Sequence, residues 1–250
     1  MYQAILLKDK DSEAQITSIN FNDLPSGDVT IQIEYSTINY KDSLAIINKK
    51  PIIRKFPMVP GIDLAGIIID PGSSSLKVGD EVVVTGWGLG ETIWGGYTQR
   101  SKLNSDCLMP LPDGITLKQS MAIGTAGLTA MLCVMALEHM GLEPSKGEVI
   151  VTGAAGGVGS ISVALLASLG YDVAASTGRS EQHDYLKSLG AKSIVDRAEL
   201  QEERGPIGRA RWAAGIDTVG STILANIMTQ IKSNGSVAVC GLAAGADLPA

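Results

Sequence analysis

A β-rich amino-terminal domain followed by a doubly wound α/β domain is the fold class that the sequence predicts, and three observations predict it. The run Val149-Ile-Val-Thr-Gly-Ala-Ala-Gly-Gly-Val-Gly-Ser160 reads as an apolar strand ending at Thr152 and a glycine-rich turn. A helical apolar pattern (Ile161, Ala164, Leu165, Ser168, Leu169) follows and stops at Gly170. From Glu148 onward, strand-like runs at Glu148–Thr152, Tyr171–Ser176, Ser193–Val195, Gly215–Val219 and Ser236–Cys240 alternate with helical ones. That alternation requires a parallel sheet with crossover helices. Residues 1–116 instead carry candidate strands at Gln3–Leu7, Asp28–Thr37, Gly66–Asp70 and Glu81–Thr85, punctuated by Gly, Pro and Asp. Pro110-Leu-Pro-Asp-Gly marks the boundary, and Leu117–Met140 carries a long helical pattern broken near Gly124 and Gly127. The domains are therefore drawn at 1–116 and 117–250.

The glycine-rich turn implies a ligand class. Glycines there let the backbone approach a pyrophosphate, which rests on a helix N-terminus where free N–H groups and the helix dipole favour negative charge. The G-x-G-x-x-G frame falls on Ala154, Gly156 and Gly159, with alanine in place of its first glycine. Ala155, Gly156, Gly157, Val158 and Gly159 are the candidate pyrophosphate-binding residues. The plain alternative is a turn without ligand, but the flanking strand and helix and the second strand argue against it. That second strand runs into Ser176-Thr177-Gly178-Arg179. An NAD site usually has a carboxylate here for the ribose hydroxyls. None is available, because Asp172 stands at the wrong end of the strand. Arg179 is placed to pair with a 2′-phosphate, and its planar guanidinium to stack on adenine, while Ser176 and Thr177 add hydroxyl donors. The sequence thus points to NADP(H) over NAD(H); the bland reading of Arg179 is a solvated residue at a helix start. Gly241 and Leu242 follow the fifth strand, and strand ends in such sheets border the ligand crevice, so their backbone is expected on the nicotinamide side.

Composition narrows the class. A length of 250 residues suits one large or two ordinary domains, and 45% apolar residues can fill sizeable cores. The net charge of −6, without a basic block, argues against a nucleic-acid surface. No run reads as a membrane span, and Met1-Tyr-Gln-Ala-Ile-Leu-Leu enters strand-like sequence with no cationic leader. Cys107, Cys133 and Cys240 are far apart in apolar contexts, as expected of reduced thiols in a cytoplasm. Met131, Met135 and Met140 read as core. The chain stops at Asp247-Leu-Pro-Ala250, just after its fifth strand, whereas a complete sheet of this type has six; a fragment lacking its C-terminal part is expected.

Several runs carry a closer resemblance: Asn39-Tyr-Lys-Asp42, Phe56-Pro-Met-Val-Pro-Gly-Ile-Asp63, Gly86-Trp-Gly-Leu-Gly-Glu-Thr-Ile-Trp-Gly-Gly96, Gly124-Thr-Ala-Gly-Leu-Thr-Ala-Met-Leu132 and Ile216-Asp-Thr-Val-Gly220. Together they resemble the zinc-free acrylyl-CoA reductase group, often labelled putative quinone oxidoreductase, of the medium-chain dehydrogenase/reductase superfamily. The resemblance runs along the whole chain, departing at Ile93, where a histidine is expected. It implies a GroES-like first domain, left partial without a returning C-terminal segment, and an incomplete Rossmann domain. It also implies NADPH-dependent reduction of acrylyl-CoA to propanoyl-CoA, in a homodimer when full length. Quinone reduction and non-catalytic NADPH binding are the alternatives.

The superfamily also contains zinc enzymes. The matching places here hold Asn39, Ile62 (beside Asp63) and Thr125, while His139 and His183 read as helix-end residues, so no metal is expected. A conjugated C=C then suits the chemistry, provided the protein supplies donors for developing negative charge and a proton. Tyr40 is the leading candidate for that polar group, with Asn39 and Asp42 on the same turn. Its alternative role is to orient the nicotinamide while solvent gives the proton. Lys41 and Asp42 are read as a supporting or a surface pair. Trp87 and Trp94 either wall the acyl pocket or pack under their loop. Lys49, Lys50, Arg54 and Lys55 either meet the CoA phosphates or form a solvated face. The resemblance places Thr125 and Thr129 near the cofactor; otherwise they are ordinary helix threonines.

Overall fold

The computed structural model describes residues 1–48, 51–202 and 208–249. Two units divide between Thr125 and Ala126. The boundary lies inside a long helix rather than ahead of it. The start of that helix packs Leu117 and Met121 against Ala65 and Val83 of the first unit, and Gly124 (φ 48°, ψ −159°) then breaks the helical backbone.

The first unit holds strands β1 (Tyr2–Leu6), β2 (Gln15–Ile19), β3 (Val29–Ser36), β4 (Asp63–Asp70), β5 (Glu81–Thr85), β6 (Arg100–Leu103) and β7 (Met109–Pro110), with helix α1 (Tyr40–Ile47) between β3 and β4. β1 and β2 form an antiparallel pair, and the other five form an antiparallel sheet in the order β6-β3-β4-β5-β7. Val29, Ile31, Leu64, Ile68, Val82, Val84 and Leu103 alternate inward to form its core. β4 begins three residues before the expected start at Gly66. Gly66 lies within the strand because β3 bulges opposite it, shifting register between Ile33 and Tyr35. A Cβ on Gly66 would lie 2.1 Å from the Gln32 carbonyl oxygen, so only glycine fits there.

The second unit carries the remainder of helix α2 (Leu117–His139), then β8 (Val149–Val151), α3 (Gly157–Ser168), β9 (Val173–Thr177), α4 (His183–Ser188), β10 (Ser193–Asp196), β11 (Trp212–Asp217), α5 (Ser221–Met228) and β12 (Ile231–Val239). The five strands are parallel, in the order β10-β9-β8-β11-β12. Strand order therefore reverses at β8 and β11, the switch point where open α/β sheets bind ligands. Val149 and Val151 face one core with Val163, Leu166 and Leu186. Ile150 faces the other with Trp212, Ile223 and Ile227. Burial on both faces makes these strands continuous apolar runs, which is why they are legible in sequence.

Two expectations are corrected. Met131, Met135 and Met140 are exposed, because the buried stripe of α2 is Ala130, Cys133, Val134 and Leu137. By length and composition alone, α2 is also long and apolar enough to cross a membrane, with a mean hydropathy of 1.8. Its small and hydroxylated residues hide this from inspection, and Gly124 interrupts the helix. The three cysteines are free.

Gly66→Ala tests the β3–β4 packing. Forcing the methyl group against the Gln32 carbonyl should cost about 1–3 kcal/mol. A thermal melt should then shift down by several degrees relative to the unaltered chain; an unchanged Tm would show that the bulge yields freely.

Candidate active site

In the second unit, the carboxyl ends of β8 and β11 are tied together around one carboxylate. Asp217, fully buried, accepts from the Thr152 hydroxyl at 2.6 Å and from the Gly220 amide at 2.7 Å. The Thr218 hydroxyl in turn donates to the Thr152 carbonyl at 3.0 Å. The chain then turns at Gly153, whose φ of +57° and lack of Cβ are both needed, since a Cβ would lie 2.2 Å from Thr218 Oγ1. Ala154 is buried and donates its amide to the Ser176 carbonyl at 3.0 Å. This accounts for the alanine in the glycine frame: the strained position is one residue earlier. Gly159 packs directly on this turn, its would-be Cβ 2.4 Å from the Gly153 carbonyl oxygen.

These contacts hold the start of α3 against the end of β8. Gly156 precedes the helix and no side chain caps it, so the N–H groups of Gly157, Val158 and Gly159 begin a helix of 12 residues that presents its positive dipole end. A Cβ on Gly157 would meet Ala126 of α2 at 3.3 Å, which brings the same helix that carries Thr129 beside this turn. The cradle fits a pyrophosphate. At the end of β9, Ser176 and Thr177 are buried, and the exposed residues are Gly178 and Arg179. The Arg179 guanidinium reaches back to the Ala155 carbonyl at 3.0 Å, which places a cation at the corner beside the turn. The Thr177 hydroxyl accepts from the Arg179 amide at 3.2 Å. Gly241 lies against Thr218, the residue after β11, where a Cβ would meet the Thr218 carbonyl oxygen at 2.1 Å; Leu242 follows it, exposed.

In the first unit, Asn39, Tyr40 and Asp42 lie on the start of α1, a helix where the sequence suggested only a turn. Asn39 precedes the helix, and Asp42 closes a capping box by accepting from the Asn39 amide at 2.8 Å. The other oxygen of Asp42 accepts the Ile62 amide at 2.9 Å, and the residue is buried. Lys41 points elsewhere and pairs with Glu91 at 2.7 Å, so the expected Lys41–Asp42 pair does not form. Tyr40, at the first helical position, is 60% exposed.

Behind it lies Asp63, fully buried and saturated. One carboxylate oxygen accepts the Thr125 hydroxyl at 2.6 Å and amide at 3.1 Å; the other accepts the Thr37 hydroxyl at 2.5 Å and the Asn39 side-chain amide at 2.8 Å. Tyr97, unmarked in the sequence, donates its hydroxyl to the Thr37 carbonyl at 2.9 Å. Burial, with the Asp42 and Asp63 carboxylates nearby, pushes its phenol well above the usual range. A zinc centre needs three ligands from Cys, His or carboxylate. Asn39, Ile62 and Thr125 offer none of these, and Asp63 spends both oxygens on internal donors. Among the described residues no three of His, Cys, Asp or Glu gather. The donor set does not fit zinc.

Trp87 stands exposed in the glycine-rich loop with a φ of +54°. Trp94 is partly buried, donates its indole N–H to the Pro57 carbonyl at 2.8 Å and packs between two apolar clusters. Glu91, also unmarked in sequence, accepts the Arg54 amide through its backbone at 2.9 Å besides pairing with Lys41. Arg54 and Lys55 are exposed; Lys49 and Lys50 lie outside the described residues.

Comparison with known proteins places this arrangement. Residues 25–135 match the alcohol dehydrogenase GroES-like domain, and residues 157–249 the zinc-binding dehydrogenase domain. Acrylyl-CoA reductase AcuI of Ruegeria pomeroyi is 51% identical over all of this chain and 77% of its own length. The structure of the yhdH oxidoreductase of Salmonella enterica in complex with NADP superposes with a TM-score of 0.94 at 50% identity, over 100% of this chain and 77% of that one. That of the Bacillus subtilis protein yhfP with NAD bound does so with a TM-score of 0.93 at 41% identity, over the same shares. On this likeness along its full length, the chain belongs to the medium-chain dehydrogenase/reductase superfamily.

Proposed function

We propose that this protein reduces the activated C=C of a short enoyl-CoA, acrylyl-CoA to propanoyl-CoA, with NADPH and without a metal. The observation that carries the cofactor choice is the corner at the end of β9. There Arg179 reaches to the glycine turn, and no acidic residue stands between Thr177 and Ser180. A ribose bearing a 2′-phosphate finds a cation there, whereas an unphosphorylated ribose finds no carboxylate. The name of the Ruegeria relative and the NADP held by the Salmonella one support the same reading.

Bound on this unit, NADPH would supply a hydride for the β-carbon of the conjugated double bond. Ala155, Gly156, Gly157, Val158 and Gly159 would hold its pyrophosphate, Arg179 its 2′-phosphate, and Gly241 and Leu242 the nicotinamide side, with Thr125 and Thr129 also near the cofactor. Tyr40 donates a proton toward the α-carbon. Asn39 and Asp42 position it: the capping box they form fixes the first turn of α1 on which Tyr40 stands. Trp87 contributes an exposed apolar face to the acyl group, and Arg54 a cation to the CoA phosphates. The three free thiols accord with a cytoplasmic protein, which we expect to act as a homodimer.

Steady-state turnover with acrylyl-CoA should exceed that with a benzoquinone; a strong preference for quinone would replace the enoyl-CoA reading. NADPH binding with no turnover on any activated alkene would leave a non-catalytic NADPH-binding protein. Arg179→Ala should raise the KM for NADPH by roughly 10- to 150-fold while leaving that for NADH almost unchanged. Equal effects on both cofactors would remove Arg179 from the phosphate site. Tyr40→Phe should lower kcat by about 10²-fold or more with little change in KM, and an unchanged kcat would pass the role of proton donor to solvent.

A further inference from the structure

We propose that Cys133 and Cys240 form an oxidation-sensitive pair, which closes into a reversible disulfide and thereby weakens the hold on the nicotinamide end of the cofactor. The pair stands on its own geometry; its effect on the cofactor rests on the reading that Gly241 and Leu242 line the nicotinamide side. The two cysteines are far apart in the chain and meet within the second unit. Cys133 belongs to the buried stripe of α2 and packs in the core that includes Val149, Val151, Ala214 and Ile216. Cys240 follows β12, whose Val239 pairs in register with Asp217 of β11. Ala238 packs against the same core as Cys133. Side chains two positions apart on a strand share a face, so Cys240 is directed to the α2 side of the sheet. There the two thiols are hydrogen-bonded to each other. The Cys240 amide and thiol also donate to the Asp217 carbonyl, at 2.9 Å and 3.4 Å.

Exposure and thiolate character are divided between the partners. Cys240 is exposed and opens the pair to solvent, while Cys133 is buried beside it. The hydrogen bond from Cys240 holds the Cys133 thiol below its usual range, against the opposing effect of burial. The same bond, with desolvation, pushes the Cys240 thiol up. The thiolate therefore forms on Cys133, next to a thiol able to resolve it. Hydrogen peroxide is the oxidant. The Cys133 thiolate attacks one peroxide oxygen, the O–O bond breaks, and the departing hydroxide takes a proton and leaves as water. The Cys240 sulphur then displaces hydroxide from the Cys133 sulfenic acid. The S–S bond forms, and that hydroxide leaves as a second water with the Cys240 proton. The two sulphurs lose two electrons and the peroxide gains them. In a reducing compartment such a bond is transient, as suits a sensor. A disulfide holds its sulphurs about 2.05 Å apart, closer than a hydrogen-bonded thiol pair, so closure draws Cys240 toward α2. Gly241 is the next residue and lies against Thr218 with no room for a Cβ. It cannot follow Cys240 without leaving that seat.

The test treats the whole chain with hydrogen peroxide, removes the oxidant by desalting, and digests a portion with trypsin without reduction. Mass spectrometry should find peptide 119–146, which bears Cys133, joined to peptide 233–250, which bears Cys240. Dithiothreitol should separate them. Thiols titrated in denaturant should fall from three to one and return to three on reduction, Cys107 being the one that stays free. The Kd for NADPH should rise by about 5-fold or more in the oxidised protein and recover on reduction. Cys133→Ala and Cys240→Ala should each abolish the linked peptides and leave the Kd insensitive to peroxide; either serves if the other fails to fold. No linked peptides, or thiols lost without return on reduction, overturns the pair. Linked peptides with an unchanged Kd overturn its effect on the cofactor. Reduced protein that does not bind NADPH overturns the cofactor reading, while the linked peptides still decide the pair.

Discussion

Contact between Gly159 and the Gly153–Ala154 backbone sets the geometry of the nucleotide-binding unit. Closest approach there is possible only without side chains, and it holds the first turn of α3 against the end of β8. Asp217 locks the adjacent strand end to the same place through Thr152 and Gly220. With β8 and β11 joined and α3 pinned, the first amides of α3, its dipole and the β9 corner are presented together. Each is a weak attractor for phosphate; held rigidly, they would give the proposed cofactor a preorganised site.

The first unit solves a different problem. A buried carboxylate is tolerable only when its oxygens are fully used, and Asp63 receives four hydrogen bonds from Thr37, Asn39 and Thr125. Two of those donors, Asn39 and Thr125, stand at positions where the resemblance places metal ligands in zinc members of the superfamily. The carboxylate is thereby converted from a potential ligand into a structural hub. Asn39 links it to the cap of α1 and hence to the placement of Tyr40. In the proposed reduction, redox chemistry would rest on hydrogen-bond donors and the cofactor, with no Lewis acid held by these side chains.

Much of this was legible in the sequence where one physical rule dominates. Parallel strands buried on both faces announce themselves as apolar runs, and the glycine turn and the Thr177–Arg179 corner follow from local order along the chain. β2 escaped detection because it is mostly exposed and mixed in polarity. Helix α1 escaped because Asn39 and Asp42 look like turn residues until their three-residue spacing is recognised as a cap. Gly66 looks like a strand start in the sequence because the β3 bulge opposite it lies on another strand. What local reading could not reach are groupings made by the tertiary fold. Thr37 and Asn39 converge with the distant Thr125 on Asp63, and Glu91 meets Lys41 across 50 residues.

The most direct test of a metal-free, NADPH-fed reduction is the rate of NADPH oxidation on adding acrylyl-CoA to protein stripped with a strong chelator, before and after zinc is returned. Stripping should leave the rate unchanged, and zinc should add nothing. A rate lost on chelation and restored by zinc would contradict the account.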